Sequence, residues 1–339
     1  MTAMESEARE ASSAVARLIS NNTDACKELA ARYRGSPPPF ISTCARGSSD
    51  HAATYAKYLF EIQCGIVTNS YAPSISSVYN ANVNMKGSLF LAISQSGKSP
   101  DLVASARQAK NAGAYVVVLC NVIQSPLAEL SDLCLPLHAG PELSVAATKS
   151  FITSLSSLLQ ITAYMSGDDS LIDALDALPE QLSEAANLNW EPALPAFAKA
   201  SDLFVVGRGY SFCVSQEAAL KFKETSKIHA EPFSTAEILH GPLELMREGF
   251  PILVFAQDDE TRPSTDALIK AIRNMGGNAF IAGTGITDDR YLPVVQNVNP
   301  VSAPITMIQS YYPFANALSL ARGMNPDAPE HLLKVTETR

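Results

Sequence analysis

The 339-residue chain carries 25 lysines and arginines against 34 aspartates and glutamates, a net charge of −9, with 47% hydrophobic and 17% charged residues. That balance predicts a globular protein with apolar surface for about two cores, and it argues against non-specific nucleic-acid binding, which needs a basic face. No stretch approaches the roughly 18 apolar residues of a membrane span, and the six scattered cysteines (Cys26, Cys44, Cys64, Cys120, Cys134 and Cys213) form neither a C-x-x-C pair nor a zinc spacing, so a reducing, cytoplasmic compartment and no metal centre are expected.

The opening MTAMESEAREAS is polar and acidic, unlike a signal or transit peptide. Residues 4–34 predict a leading helical segment. An apolar strand then runs into Ala45-Arg46-Gly47-Ser48-Ser49 and a helix bearing Lys57 and Glu61. A second strand, residues 88–93, breaks off into Ser94-Gln95-Ser96-Gly97-Lys98-Ser99, and a helix opens at Pro100-Asp101. That helix ends in the turn Ala112-Gly113-Ala114, and residues 115–120 form a further strand. Residues 165–200, with Pro179, Pro192 and Pro195, predict linker helices.

The pattern then returns with a period of about 165 residues, a domain-sized repeat. A strand ends in Val206-Gly207-Arg208-Gly209-Tyr210-Ser211 and leads into a helix bearing Lys221 and Glu224. Residues 250–256 form the next strand, Gly276-Gly277-Asn278 the glycine turn, and residues 279–282 the strand after it. Residues 323–339 follow a helix and have no periodicity of their own. Short apolar strands alternating with longer amphipathic helices imply parallel βαβ units. The expected fold is α/β, with two doubly wound, three-layer, flavodoxin-like domains in tandem. The boundaries read as a helical segment at 1–34, a first domain at 35–166, linker helices at 167–199, a second domain at 200–323 and a tail at 324–339.

A strand that ends in a hydroxyl- and glycine-rich turn before a helix N-terminus builds an anion site from unpaired N–H groups and the helix dipole. An ordinary polar βα turn would use the same residues. A nucleotide P-loop is excluded, because it needs glycine five positions before Gly97 and the chain has Ala92 there. Ligands of such sheets bind beyond the carboxyl ends of the strands, so Ser49 and the Ser94–Ser99 turn can converge on one phosphate. The corresponding turn of the second copy, Ala256-Gln257-Asp258-Asp259-Glu260, is acidic and would repel an anion. One composite active site is therefore expected, not two equal ones.

Lys221 and Glu224 are three residues apart and share a helix face, where an exposed pair would contribute only a few tenths of a kcal/mol. Their helix follows directly on the Arg208–Ser211 turn, which makes Glu224 a candidate general base if it is partly desolvated. His240 precedes Gly241-Pro242 and is a second candidate. His51, His138, His229 and His331 read as structural.

Several stretches, in the same order along nearly the whole chain, resemble the sugar isomerase (SIS) domain family, and in particular the isomerase half of glucosamine-6-phosphate synthase. They are Met4-Glu5-Ser6-Glu7, CARGSSDHAATYAKYLFE (44–61), Ser94-Gln95-Ser96-Gly97, HAGPELSVAATKSF (138–151), EAALKFKETSKIHAE (217–231), LHGPLEL (239–245) and PEHLLKVT (329–336). The resemblance implies that Ser49, Ser94, Gln95, Ser96 and Ser99 hold a sugar phosphate and that Val145 and Ala147 line the sugar pocket, with Thr148 close by. It further implies that Glu224 moves a proton between C1 and C2, Lys221 neutralises developing charge, and His240 of a neighbouring subunit assists ring opening. Lys334, in the tail, would approach the sugar carbonyl and could form a Schiff base.

No cofactor is implied. The expected partners are a phosphorylated aminosugar and a second copy in a homodimer with a shared site, with no nucleic acid and no membrane. Two departures stand out: Lys98 replaces an acidic residue of the synthase loop, and Ala147 replaces a serine. The chain also begins where the synthase's glutaminase domain would have ended. A stand-alone glucosamine-6-phosphate deaminase-isomerase is therefore expected. A fructosamine-6-phosphate deglycase, an aldose–ketose isomerase and a synthase using free ammonia stay open, as does a non-catalytic phosphosugar sensor. For the sensor, residues 1–37 are too short and too acidic to read DNA.

Overall fold

The computed structural model describes residues 1–285 and 290–334; residues 335–339, part of the predicted tail, lie outside the described residues. Two five-stranded parallel sheets organise the chain. The first contains β1 (Ile41–Cys44), β2 (Thr68–Ser70), β3 (Leu89–Ser94), β4 (Tyr115–Cys120) and β5 (Leu133–Pro136), in the order β2-β1-β3-β4-β5. The second contains β6 (Asp202–Gly207), β7 (His229–Ser234), β8 (Pro251–Ala256), β9 (Asn278–Gly283) and β10 (Tyr291–Leu292), in the order β10-β9-β8-β6-β7. Counted from the β7 edge, the second sheet repeats the first strand for strand. The duplicated, doubly wound fold expected from the sequence is the one observed.

The helices are α1 (Ala3–Arg9), α2 (Ala11–Tyr33), α3 (Ser48–Cys64), α4 (Ser74–Ser77), α5 (Pro100–Asn111), α6 (Pro126–Leu130), α7 (Lys149–Ser166), α8 (Asp169–Ala185), α9 (Leu194–Ala198), α10 (Phe212–Ser226), α11 (Arg262–Asn274) and α12 (Ala303–Ala321). Among the described residues no helix is long and apolar enough to cross a membrane. The chain divides into two compact units that are not simple halves. One holds Ser13–Glu142, Lys149–Asp176 and Lys334; the other holds Met1–Ser12, Leu143–Thr148 and Ala177–Leu333.

In the first-sheet unit every residue of β3 is buried, as a central parallel strand covered on both faces requires. Phe90, Ala92, Val116 and Val118 pack there against Leu102 and Ala106 of α5. Helix α3 packs on α7, which is buried through most of its length despite many hydroxyls. Several of those hydroxyls turn back on their own helix, Ser154 donating to the Ser150 carbonyl at 2.8 Å and Ser156 to that of Ile152 at 2.9 Å, so these enter the core satisfied. In the second-sheet unit α10 packs on α12, and Trp190, Phe197, Phe222, Phe255, Tyr311 and Phe314 form one aromatic cluster. Each of these large side chains contributes roughly 1.5–3 kcal/mol of burial free energy or more. Lys221 of α10 lies beside this cluster, because Tyr311 donates to the Ala218 carbonyl at 3.0 Å one turn before it.

Candidate active site

In a sheet of order 2-1-3-4-5 the chain reverses direction between β1 and β3, and a crevice opens beyond their carboxyl ends. The Ser94–Ser99 turn leaves β3 there, and Gly47 (φ +56°) turns β1 into α3, whose first residues are Ser48 and Ser49. The turn is tied down internally. Ser94 Oγ accepts the Gly97 N–H at 3.0 Å, and the Gln95 and Gly97 carbonyls accept the N–H groups of Val122 and Leu127, both at 3.2 Å. Gly97 sits at φ +65°, and a Cβ there would collide with Ser125 Oγ and lie 2.8 Å from Cys120 Sγ, so only glycine fits. Helix α5 then starts at Pro100 with no capping bond from the Ser99 side chain, and its Leu102 N–H is taken by Asp101 Oδ1 at 2.9 Å.

Arg46 joins the two arms of the crevice. Its Nε and Nη2 donate to Oδ2 of the fully buried Asp101 at 3.1 and 2.9 Å. Lys98 is exposed and lines a separate groove of about 870 Å³, with Val103, Arg107 and Gln108 of α5 and Asn80.

The equivalent crevice of the second sheet is built differently. Gln257 donates its side-chain amide to Asp259, whose other oxygen accepts the Thr261 N–H at 2.8 Å and hydroxyl at 2.6 Å. The chain's own carboxylate thus takes the donors that precede α11, and an external anion finds a negative charge there instead.

Helix α10 of the second-sheet unit carries the charged cluster. Lys221 has no exposed side-chain surface; its Nζ lies 3.1 Å from Glu217 Oε1 and 2.6 Å from Glu224 Oε2. Burial would pull the Lys221 ammonium down, but the charges of Glu217 and Glu224 outweigh it and hold it above the ordinary lysine range. Glu217 is fully buried, whereas Glu224 keeps 20% of its side chain open. The lysine and glutamate of the corresponding helix of the first copy, Lys57 and Glu61, are both exposed, and Glu61 accepts the Thr68 N–H at 3.1 Å. Lys221 and Glu224 are thus not the exposed helix pair that a random K-x-x-E would form. His240, also in this unit, is exposed at the end of a single helical turn, Glu237–His240, before Gly241 (φ +141°).

Residues 143–148 belong to the same unit and are held by groups distant in sequence. The Glu7 carboxylate accepts the N–H groups of Leu143 and Ser144, and the Asp327 carbonyl accepts that of Val145 at 3.1 Å. Asp327 also caps α1 by accepting the Ala3 and Met4 N–H groups at 2.8 and 2.7 Å. Within this frame Ser144, Ala146 and Thr148 are buried, while Val145 and Ala147 stay half-open.

In the first-sheet unit, Lys334 Nζ donates to Glu142 Oε2 at 2.9 Å. Burial alone would push the Glu142 carboxyl up; the Lys334 charge and the hydrogen bonds from Ser150 and Lys334 overcome it and hold the carboxyl below its usual value. All six cysteines are free thiols, and burial pushes the Cys26 and Cys44 thiols up to about 12. Among the described residues no His, Cys, Asp and Glu cluster could hold a metal ion.

The fold therefore gathers Ser49, Ser94, Gln95, Ser96 and Ser99 at one crevice, with Lys334 in the same unit. It places Val145, Ala147, Lys221, Glu224 and His240 in the other unit. Sequence reasoning missed Glu217, Glu142, Asp327 and the Arg46–Asp101 pair. Glu217 was within reach, since it lies four residues before Lys221 on the same helix face. Asp327 and the Arg46–Asp101 pair depend on partners 55 to 324 residues away in sequence, and Glu142 meets Lys334 192 residues away, although Ser150 also holds it from eight residues away.

Residues 40–164 and 196–296 match the SIS domain, and the chain belongs to the SIS domain family. It is 32% identical over 294 residues to the isomerizing glutamine–fructose-6-phosphate aminotransferase of Sulfurisphaera tokodaii, covering 85% of this chain and 48% of that protein. The chain thus spans about half the length of the curated relatives it matches. Among solved structures, a candidate phosphosugar isomerase from Silicibacter pomeroyi superposes with a TM-score of 0.92 at 42% identity, covering 96% of this chain and all of that one. The C-terminal domain of the glucosamine-fructose-6-phosphate aminotransferase of Francisella tularensis gives 0.86 at 26% identity, over 97% and 98% of the two chains.

Proposed function

We propose that the chain is a phosphosugar isomerase acting on an aminosugar, converting glucosamine 6-phosphate and water to fructose 6-phosphate and ammonia. The carrying observation is the Glu217–Lys221–Glu224 cluster. A carboxylate with one open edge, beside a wholly buried ammonium, is suited to take a proton from carbon and return it to the neighbouring carbon.

In this reading the Ser94–Ser99 turn, Ser49 and the α5 N-terminus hold the phosphate, and Val145 and Ala147 bound the sugar. His240, from the neighbouring subunit of a homodimer, assists ring opening. Glu224 removes the C2 proton of the open-chain aldehyde, leaving an enaminol whose developing negative charge Lys221 offsets. The proton returns to C1, giving a C2 imine. Water adds to C2 and ammonia departs, leaving the ketose phosphate. The relatives that act by name on fructose 6-phosphate support this class of substrate.

The test incubates purified protein with glucosamine 6-phosphate and measures ammonia and fructose 6-phosphate together. Equimolar release is expected. Turnover of a different phosphosugar, with no ammonia from this one, would overturn the assignment.

A further inference from the structure

Lys334 sits on the tail, far in sequence from every sheet strand, yet its amine meets a fully buried carboxylate. Glu142 is gripped by rigid structure on its other side: Oε1 accepts the Ser150 N–H at 3.1 Å and Oε2 the Ser150 hydroxyl at 2.7 Å. Ser150 is the second residue of α7, so that N–H is one of the helix's unpaired first-turn donors, and the positive end of an 18-residue helix faces the carboxylate. A carboxylate is tolerated at such depth only with charge and hydrogen-bond partners. Ser150 and α7 fix where Glu142 points; Glu142 in turn meets the flexible four-carbon stem of a lysine that remains 25% exposed.

We propose that Glu142 is the positioning residue for Lys334, anchoring the tail's amine to the first turn of α7. Its effect on turnover rests on the proposed phosphosugar isomerase function and on the role the family resemblance implies for Lys334, an approach to the sugar carbonyl; the anchoring itself is measured without substrate.

The experiment has two arms. In the first, substrate-free protein is acetylated with limiting N-hydroxysuccinimidyl acetate, and labelling at Lys334 is compared by mass spectrometry with that at the exposed Lys199. Wild type should label Lys334 several-fold more slowly than Lys199. Glu142→Gln and the shorter Glu142→Asp should bring the two towards parity, while Ser150→Ala, which keeps the carboxylate, should preserve most of the protection. Equal labelling in wild type, which needs no variant to fold, overturns the proposal, as does unchanged protection in Glu142→Gln.

The second arm compares kinetics on the phosphosugar. Glu142→Gln should lower kcat by about 10²-fold, as misplacing a reacting group does, with KM held by the intact phosphate crevice. Lys334→Met should reproduce that loss, and the double variant should add nothing. If Lys334→Met loses turnover and Glu142→Gln does not, the positioning role is overturned and the functional reading stands. If both variants turn over normally while the labelling shifts as expected, the anchor is upheld and the catalytic assignment of Lys334 falls.

Discussion

Lys221 donates a 2.6 Å hydrogen bond to Glu224 from a position with no open surface, while Glu224 itself retains 20% exposure. One partner is therefore fixed and the other is able to meet a substrate. Glu224→Gln is expected to reduce kcat by about 10²–10⁴-fold, the range of a lost general base. Phosphosugar binding, followed by calorimetry, should survive because the phosphate crevice is untouched. Full activity in this variant would remove Glu224 as the base.

The same cluster should be a point of fragility. Lys221→Met leaves Glu217 buried without its counter-charge, which costs about 3–5 kcal/mol. Urea unfolding should show that loss. Lys57→Met, at the exposed counterpart in the first copy, should stay within about 0.5 kcal/mol of wild type.

Gly97→Ala combines a left-handed backbone with a Cβ that collides with Ser125. A destabilisation of about 1–3 kcal/mol is expected. The turn should also lose its grip, so a phosphosugar that raises the melting temperature of wild type should raise that of the variant far less. Equal ligand-induced shifts would disconnect the turn from binding.

Glu142 gives stability a definite acid dependence. Its carboxyl is held below the ordinary range in the folded chain, so the unfolded state binds its proton first as pH falls. The contribution is complete above the unfolded value of about 4.3 and disappears as pH drops through the lower folded value. The stability gap between wild type and Glu142→Gln should therefore be constant near neutrality and close below about pH 4. A gap that widened on acidification would reverse the sign and refute the assignment.

The inner strands β3, β4, β6, β8 and β9 were readable because a parallel strand covered on both faces is largely apolar. Edge strands such as β2, Thr68-Asn69-Ser70, carry no such run and were not predicted. The Ser94–Ser99 turn was legible as a turn between β3 and α5 because its hydroxyl and glycine residues are contiguous in sequence. The burial of Lys221 was not, since the lysine of the corresponding helix, Lys57, lies in solvent, and α10 packs on α12, some 90 residues later. The roles of Glu7 and Asp327 were hidden for the same reason. Each acts on backbone that only the finished fold brings near.

The Asp327 cap on α1 also constrains how the chain reaches its native state. The carboxylate that caps helix α1 and the α12 residues beside it, such as Gln309, which donates to the Ala8 carbonyl at 3.0 Å, lie about 300 residues further along the chain. A seven-residue helix is not stable alone in water. The helical form of Ala3–Arg9 therefore depends on contacts with α12 and Asp327, which are distant in sequence and form only in the finished fold.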